Sequence, residues 1–323
     1  MALISILSLA LLALATENDT PPGAVQNPDA LPAISPPFDY NGAIETGLQE
    51  HLPSTPWVLA HLDGGKIPKD CKDRAQASGY NYTDMDIFQV YYEDCGEPWT
   101  MCRLKDAKVD AISMAETFGK MPLGMREYNR HVIQLKGKDL PGAAAVSAGD
   151  TIAISEDSWH IWVFAHEMSH SLDSHVPVPG VTPDGQGGLS ISQEWASQFG
   201  QDRATVSEYA RTKWSENLAE TGIVALYNTV VPTGTFSLPN DPRLIFHQYA
   251  TYQMHYGDII TPKSKSNCTQ RLPSSQMVIW NDDDSESPVS GEHSGFKVGV
   301  MEGVMKMRPG LFHNETCSLP GGR

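Results

Sequence analysis

The sequence predicts an α+β fold: a small sheet beside one HExxH helix, with a mostly helical second lobe. Three observations predict it. His166-Glu167-Met168-Ser169-His170 sets two imidazoles four residues apart, the spacing that places both on one helix face. Ahead of it, residues 86–92 and 143–154 carry the β-branched and aromatic content of strands. After it, residues 193–199, 214–227 and about 241–256 show helical periodicity and stop signals.

In chain order, residues 1–15 are apolar and close on Ala13-Leu14-Ala15, which reads as a secretory signal peptide. Residues 16–40 are rich in Pro, Ala and Asn, an extended arm or short propeptide, and the folded body is expected over 41–323. Asp86 to Tyr92 reads as a strand running into the Cys95-Gly96-Glu97-Pro98-Trp99 turn. Asp110 to about Arg130 is helix-compatible and broken near Pro122.

Ser155-Glu156-Asp157 supplies cap residues for the HExxH helix, expected from Trp159 to about Ser174. Trp159, Val163, His166, His170 and Asp173 share one face of it. Residues 180–188 are too rich in Gly and Pro for regular structure. Thr212 is a candidate cap for the 214–227 helix, and Pro242 stands in the first turn of the last one.

Five cysteines (71, 95, 102, 268 and 317) and sequons at Asn18, Asn81, Asn267 and Asn314 agree with export. Two disulfides and one remaining thiol are expected, with the pairing left open. No cysteine pair has the spacing of a structural zinc site. The net charge of -16 with dispersed basic residues leaves no footprint for nucleic acid or an anionic membrane. Past residue 15 no stretch is long and apolar enough to cross a bilayer. Asn281-Asp282-Asp283-Asp284 reads as a solvated loop, without the spacing of a calcium site.

Two imidazoles at this spacing suit one Zn2+ ion, and Glu167 stands beside its open side as general base. A third ligand is needed. His175 is a residue short of the metzincin spacing, Asp173 is better placed behind a histidine than on the metal, and His247 and His255 have no motif around them. Glu216 remains, within Trp214-Ser215-Glu216-Asn217-Leu218-Ala219-Glu220.

His166-Glu167-x-x-His170-x-x-Asp173, followed by Tyr209-x-Arg211-Thr212-x-x-x-Glu216-x-x-Ala219-Glu220, resembles the catalytic domain of anthrax-lethal-factor-like metallopeptidases, which are gluzincins. The whole chain, with Tyr91-Tyr92-Glu93-Asp94-Cys95 and Pro98-Trp99-x-Met101-Cys102, resembles fungal extracellular conidiation-specific and metallopeptidase proteins. The first resemblance, carried by residues 166–220, implies a zincin-like catalytic domain, which is expected to occupy the folded body 41–323. It implies His166, His170 and Glu216 as zinc ligands and Tyr209 as the hydroxyl facing a substrate carbonyl. It implies Glu220 as the acid that orients a zinc histidine, and Asp173 can do the same for the other. Glu216 and Glu220 also share a helix face, which suits one carboxylate on the metal and the next on an imidazole.

The expected activity is therefore that of a secreted zinc metalloendopeptidase acting on a peptide or protein substrate: Glu167 deprotonates a zinc-bound water and Tyr209 stabilises the oxyanion. The competing expectation is a secreted zinc-fold binding or wall-associated protein without peptidase activity. A lectin-like glycoprotein is a third, resting on sequons and secretion alone.

Overall fold

The structure, a computed structural model, describes residues 27–62, 65–136, 140 and 144–279. The leader 1–15, residues 16–26 of the arm, the sequons at Asn18 and Asn314, Cys317 and the acidic run 281–284 lie outside the described residues.

Six strands form one mixed sheet in the order β1-β3-β4-β5-β7-β6. They are β1 (Trp57–His61), β3 (Met85–Tyr92), β4 (Trp99–Leu104), β5 (His131–Leu135), β6 (Ala145–Ala148) and β7 (Thr151–Ser155). β4, β5 and β7 run parallel, whereas β1, β3 and β6 pair antiparallel with their neighbours. The 143–154 segment is thus two strands, turned by Gly149 and Asp150, both at positive φ.

β5 and β7 are buried at every position, as interior strands covered on both faces must be. The two-residue alternation then sorts side chains between two cores. Phe88, Val90, Trp99, Met101, Val132, Ile152 and Ile154 face the helical layer. Ile87, Cys102, Leu104, Ile133 and Ala153 face a smaller core under α2 (Lys69–Ala77). The Cys71–Cys102 disulfide fastens α2 to β4, and Cys95–Cys268 ties the β3–β4 turn to the chain after the last helix. These are the two expected disulfides, with the pairing that the sequence left open. β2 (Lys66–Pro68) pairs with β8 (Met277–Ile279) in a separate ribbon.

The helical layer holds α1 (Glu45–His51), α3 (Ala111–Lys120), α4 (Leu123–Arg126), α5 (Ile161–His175), α6 (Gln193–Phe199), α7 (Trp214–Val230) and α8 (Phe246–Ile260). The break between α3 and α4 falls at Pro122, as proline's restriction of the preceding residue requires. Against α3 and α5, Trp99, Phe118 and Phe164 stack edge to face with centroids 5.5 and 6.4 Å apart.

α5 and α7 cross at Gly222. A Cβ there would stand 2.1 Å from Ser169 Oγ, so only glycine permits this approach of the backbones. That crossing brings the acidic face of α7 onto the HExxH helix.

Two caps differ from expectation. α5 begins at Ile161, and Ser155, Glu156 and Asp157 do not cap it: Ser155 ends β7, while Glu156 and Asp157 bind Lys108. The cap comes from Glu45 of α1, whose carboxylate accepts from the Ile161 and Trp162 amides at 3.2 and 3.3 Å. α7 is preceded by Lys213 without a side-chain cap, and the Thr212 hydroxyl instead donates to Tyr209 O at 2.8 Å, closing the turn 209–212.

Candidate metal site

α5 presents His166 and His170 on one face, with their Nε2 atoms 3.2 Å apart and rings at 81°. Glu216, in the first turn of α7, places Oε2 3.2 Å from His166 Nε2 and 3.3 Å from His170 Nε2. Four tetrahedral donors at zinc bond lengths are separated by about 3.3 Å, so this triangle matches one face of such a shell. Glu216 Oε2 is buried and no N–H is aimed at it. A buried carboxylate oxygen without a donor, set against two imidazole nitrogens, is satisfied by a cation. His166, His170 and Glu216 are the three His, Cys, Asp or Glu residues that converge in this way among the described residues.

Behind the triangle, His166 Nδ1 lies 2.9 Å from Glu220 Oε1. A carboxylate accepts, so Nδ1 carries the proton and Nε2 is turned to the ligand side. The other Glu220 oxygen accepts from the Tyr40 hydroxyl at 3.0 Å. Tyr40 packs on Trp162 at 5.3 Å, and Asn41 accepts from the Trp162 indole at 3.1 Å. The described part of the Pro-rich arm, 27–40, is packed onto the fold, with Ile34 and Phe38 buried and Ala33 bridging Thr205, and it reaches the site through Tyr40.

For the side chains alone, burial would lower the His166 pKa, but Glu216 and Glu220 outweigh it and lift it to about 10; a cation on the triangle would take the place of the Nε2 proton. Burial would raise Glu216, yet the adjacent imidazoles hold it well below the ordinary carboxylate range. Glu167, 5 % exposed, is pushed up by burial, against the pull of the two histidines. Tyr209 stands 54 % exposed with its ring 5.9 Å from that of His166; burial of its hydroxyl and the charges of Glu216, Glu167 and Glu220 raise it to about 12.

The structure therefore gathers His166, Glu167, His170, Tyr209, Glu216 and Glu220 in one place. The Asp173 carboxylate accepts from the Ser190 amide at 2.9 Å and from its hydroxyl, which fastens the 180–190 loop to α5. His175 pairs with Asp150, His247 with Asp202 and His255 with Glu194, each a contact that holds the fold. Tyr40, Asn41 and Glu45 were invisible to motif reasoning. Their partners lie 116 to 180 residues away, and no local pattern marks them.

The family model for conidiation-specific protein Con-13 matches residues 41–237, more than half of the chain. Conidiation-specific protein 13 of Neurospora crassa is 30% identical over 205 residues, which cover 60% of this chain and 54% of the relative. The chain therefore spans about half the length of that curated relative. No solved structure matches.

These matches correct the resemblance to anthrax-lethal-factor-like peptidases, and with it the expected zinc metalloendopeptidase activity and its hydrolase character. Neither match is to a metallopeptidase. The physical reason is that HExxH fixes where two imidazoles and a carboxylate stand on a helix, and says nothing about whether a peptide lies across them. The resemblance to conidiation-specific proteins is the part that holds. Since the matched segment contains α5, Tyr209 and both α7 glutamates, the site belongs to the matched region itself, and the chain is a member of the Con-13 family.

Proposed function

We propose that this chain is a secreted metal-binding protein that holds one Zn2+ on His166, His170 and Glu216 and serves as a binding or wall-associated module without peptidase activity. The carrying observation is the triangle of donor atoms 3.2 to 3.3 Å apart around the orphaned Glu216 Oε2. The layout is zincin-like in outline: a mixed sheet whose antiparallel edge strand β6 lies against the HExxH helix. Glu220 and Tyr40 support the ligand set from behind, as outer partners of metal histidines do. Bound there, zinc would supply a Lewis-acidic position open to one donor atom of a ligand. Around that position stand the partly exposed Tyr209 side chain and the buried Glu167 carboxyl.

Secretion is supported by the apolar N-terminal run, by the two disulfides, and by the lack of any helix among the described residues long and apolar enough to cross a membrane. The relative's name ties that protein to conidiation, and we extend to this chain a role at the fungal cell exterior during that process.

The test is zinc stoichiometry by elemental mass spectrometry on purified wild type and Glu216→Ala. About one zinc in the wild type, lost in the variant, is expected. A folded wild type that takes up no zinc would overturn the reading.

A further inference from the structure

A second site lies away from the metal triangle, in a cavity of about 470 Å³ between the 53–56 loop, the end of β3, the α3–α4 turn and the chain after α8. Its apolar wall includes Pro53, Pro56, Met121 and Leu123. Arg126 lines it although wholly buried, its guanidinium lying over Tyr92 and Trp99 at 4.7 and 5.3 Å. Nη2 pairs with Asp94 and Nε donates to Met121 O at 2.9 Å, while Nη1 has no partner. A buried guanidinium nitrogen left without an acceptor costs free energy unless something supplies one.

The charges around it are unequal. Lys120, Arg126, Lys263 and Lys265 line the cavity against Glu93 and Asp94, on a chain whose net charge is -16. Lys120 is held by Gln49 and Lys265 by Glu127, and Asp94 is taken by Arg126. Lys263 has no ion pair among the described residues, and its backbone sits at φ 62, in the left-handed region that lysine seldom adopts. Exposed Glu93 and the Asp94 oxygen Oδ1, which has no hydrogen-bond partner, are the opposing groups that remain.

We propose that this cavity binds a small organic carboxylate with an apolar body: the carboxylate meets the free Arg126 nitrogen and Lys263, and the body fills the wall of prolines, Met121 and Leu123. The volume suits a ligand of that size, and the planar guanidinium suits a planar carboxylate.

The experiment is calorimetric titration of the full chain with benzoate, with benzamide as the uncharged analogue and acetate as the head group alone. Because a carboxylate also ligates zinc, the titration is repeated on Glu216→Ala. Arg126 supports the core, so the diagnostic variant is the exposed Lys263→Glu, checked for an unchanged melting temperature. The expected result is saturable benzoate binding, at least tenfold weaker for benzamide and for acetate, retained in Glu216→Ala and weakened about tenfold or more in Lys263→Glu. Three results would overturn the proposal: no saturable binding to the folded wild type, equal affinity in Lys263→Glu, or binding that disappears in Glu216→Ala, which would put the ligand on the metal.

Discussion

The Tyr40 hydroxyl donates to Glu220 across 180 residues of chain, and the same carboxylate receives the His166 Nδ1 proton. The end of the Pro-rich arm thus reaches the donor set through one hydrogen bond and one carboxylate. Tyr40→Phe removes that bond and leaves a carboxylate oxygen without its donor, at a cost of about 1–3 kcal/mol. With zinc on the triangle, affinity in a chelator competition should fall about tenfold or more, since His166 loses part of its orientation. An unchanged affinity would show that Glu220 is held well enough without Tyr40.

Gly222 sets the distance between α5 and α7. In Gly222→Ala the new methyl would meet Ser169 Oγ at 2.1 Å and Tyr252 Oη at 2.9 Å, so α7 must move away and take Glu216 with it. Overpacking of this kind costs about 1–3 kcal/mol. Thermal unfolding should report the loss, and metal content should fall with it. At an ordinary exposed helix position the same change would stabilise.

His131 sets an acid limit on stability. Its Nδ1 is 2.8 Å from Thr100 O, so that nitrogen carries the proton, and Nε2 accepts from the Ser275 amide at 2.9 Å. The buried ring is thus neutral, and burial lowers its pKa from 6.5. The folded value is depressed, so its contribution is fully present above about 6.5 and is lost as pH falls from there toward the folded pKa, where the unfolded chain binds a proton that the native one refuses. Denaturant titrations at pH 7.5 and 5.5 should show this loss, and it should shrink in His131→Leu, which lacks the titrating ring. Equal pH slopes in the two proteins would remove His131 as the cause.

Phe118 stacks on Tyr92, Trp99 and Phe164 with no exposed surface. Phe118→Ala should cost about 3–5 kcal/mol, measured by denaturant unfolding. Retained stability would mean that the surrounding rings collapse into the space.

What the sequence disclosed follows the range of the forces involved. The i, i+4 histidines on α5 and the i, i+4 glutamates on α7 are local patterns, and both helices form where periodicity places them. α6 spans Gln193–Phe199 as expected, because Ser192 caps it through the Trp195 amide. The α5 cap is not legible in the local sequence because its acceptor, Glu45, comes from another helix, while the cap-type residues 155–157 stand nearby. The disulfide partners were open for the same reason: Cys95 and Cys268 meet across 173 residues of chain. Donor geometry could be read from the motif, but the reaction could not, since zinc ligands of one kind serve many purposes.

The Cys95–Cys268 bond also bears on how much of this chain is one physical object. The Con-13 match stops at residue 237, yet α8 begins at Phe246, buries Tyr249, Tyr252, Tyr256 and Ile260, and sends Tyr252 to Ser169 beside the metal ligands. A polypeptide cut where the match ends would uncover the flank of α7 and strand Cys95 as a lone thiol. The piece that folds as a unit therefore extends past the hallmark of its family, at least through Ser275 and the histidine it contacts.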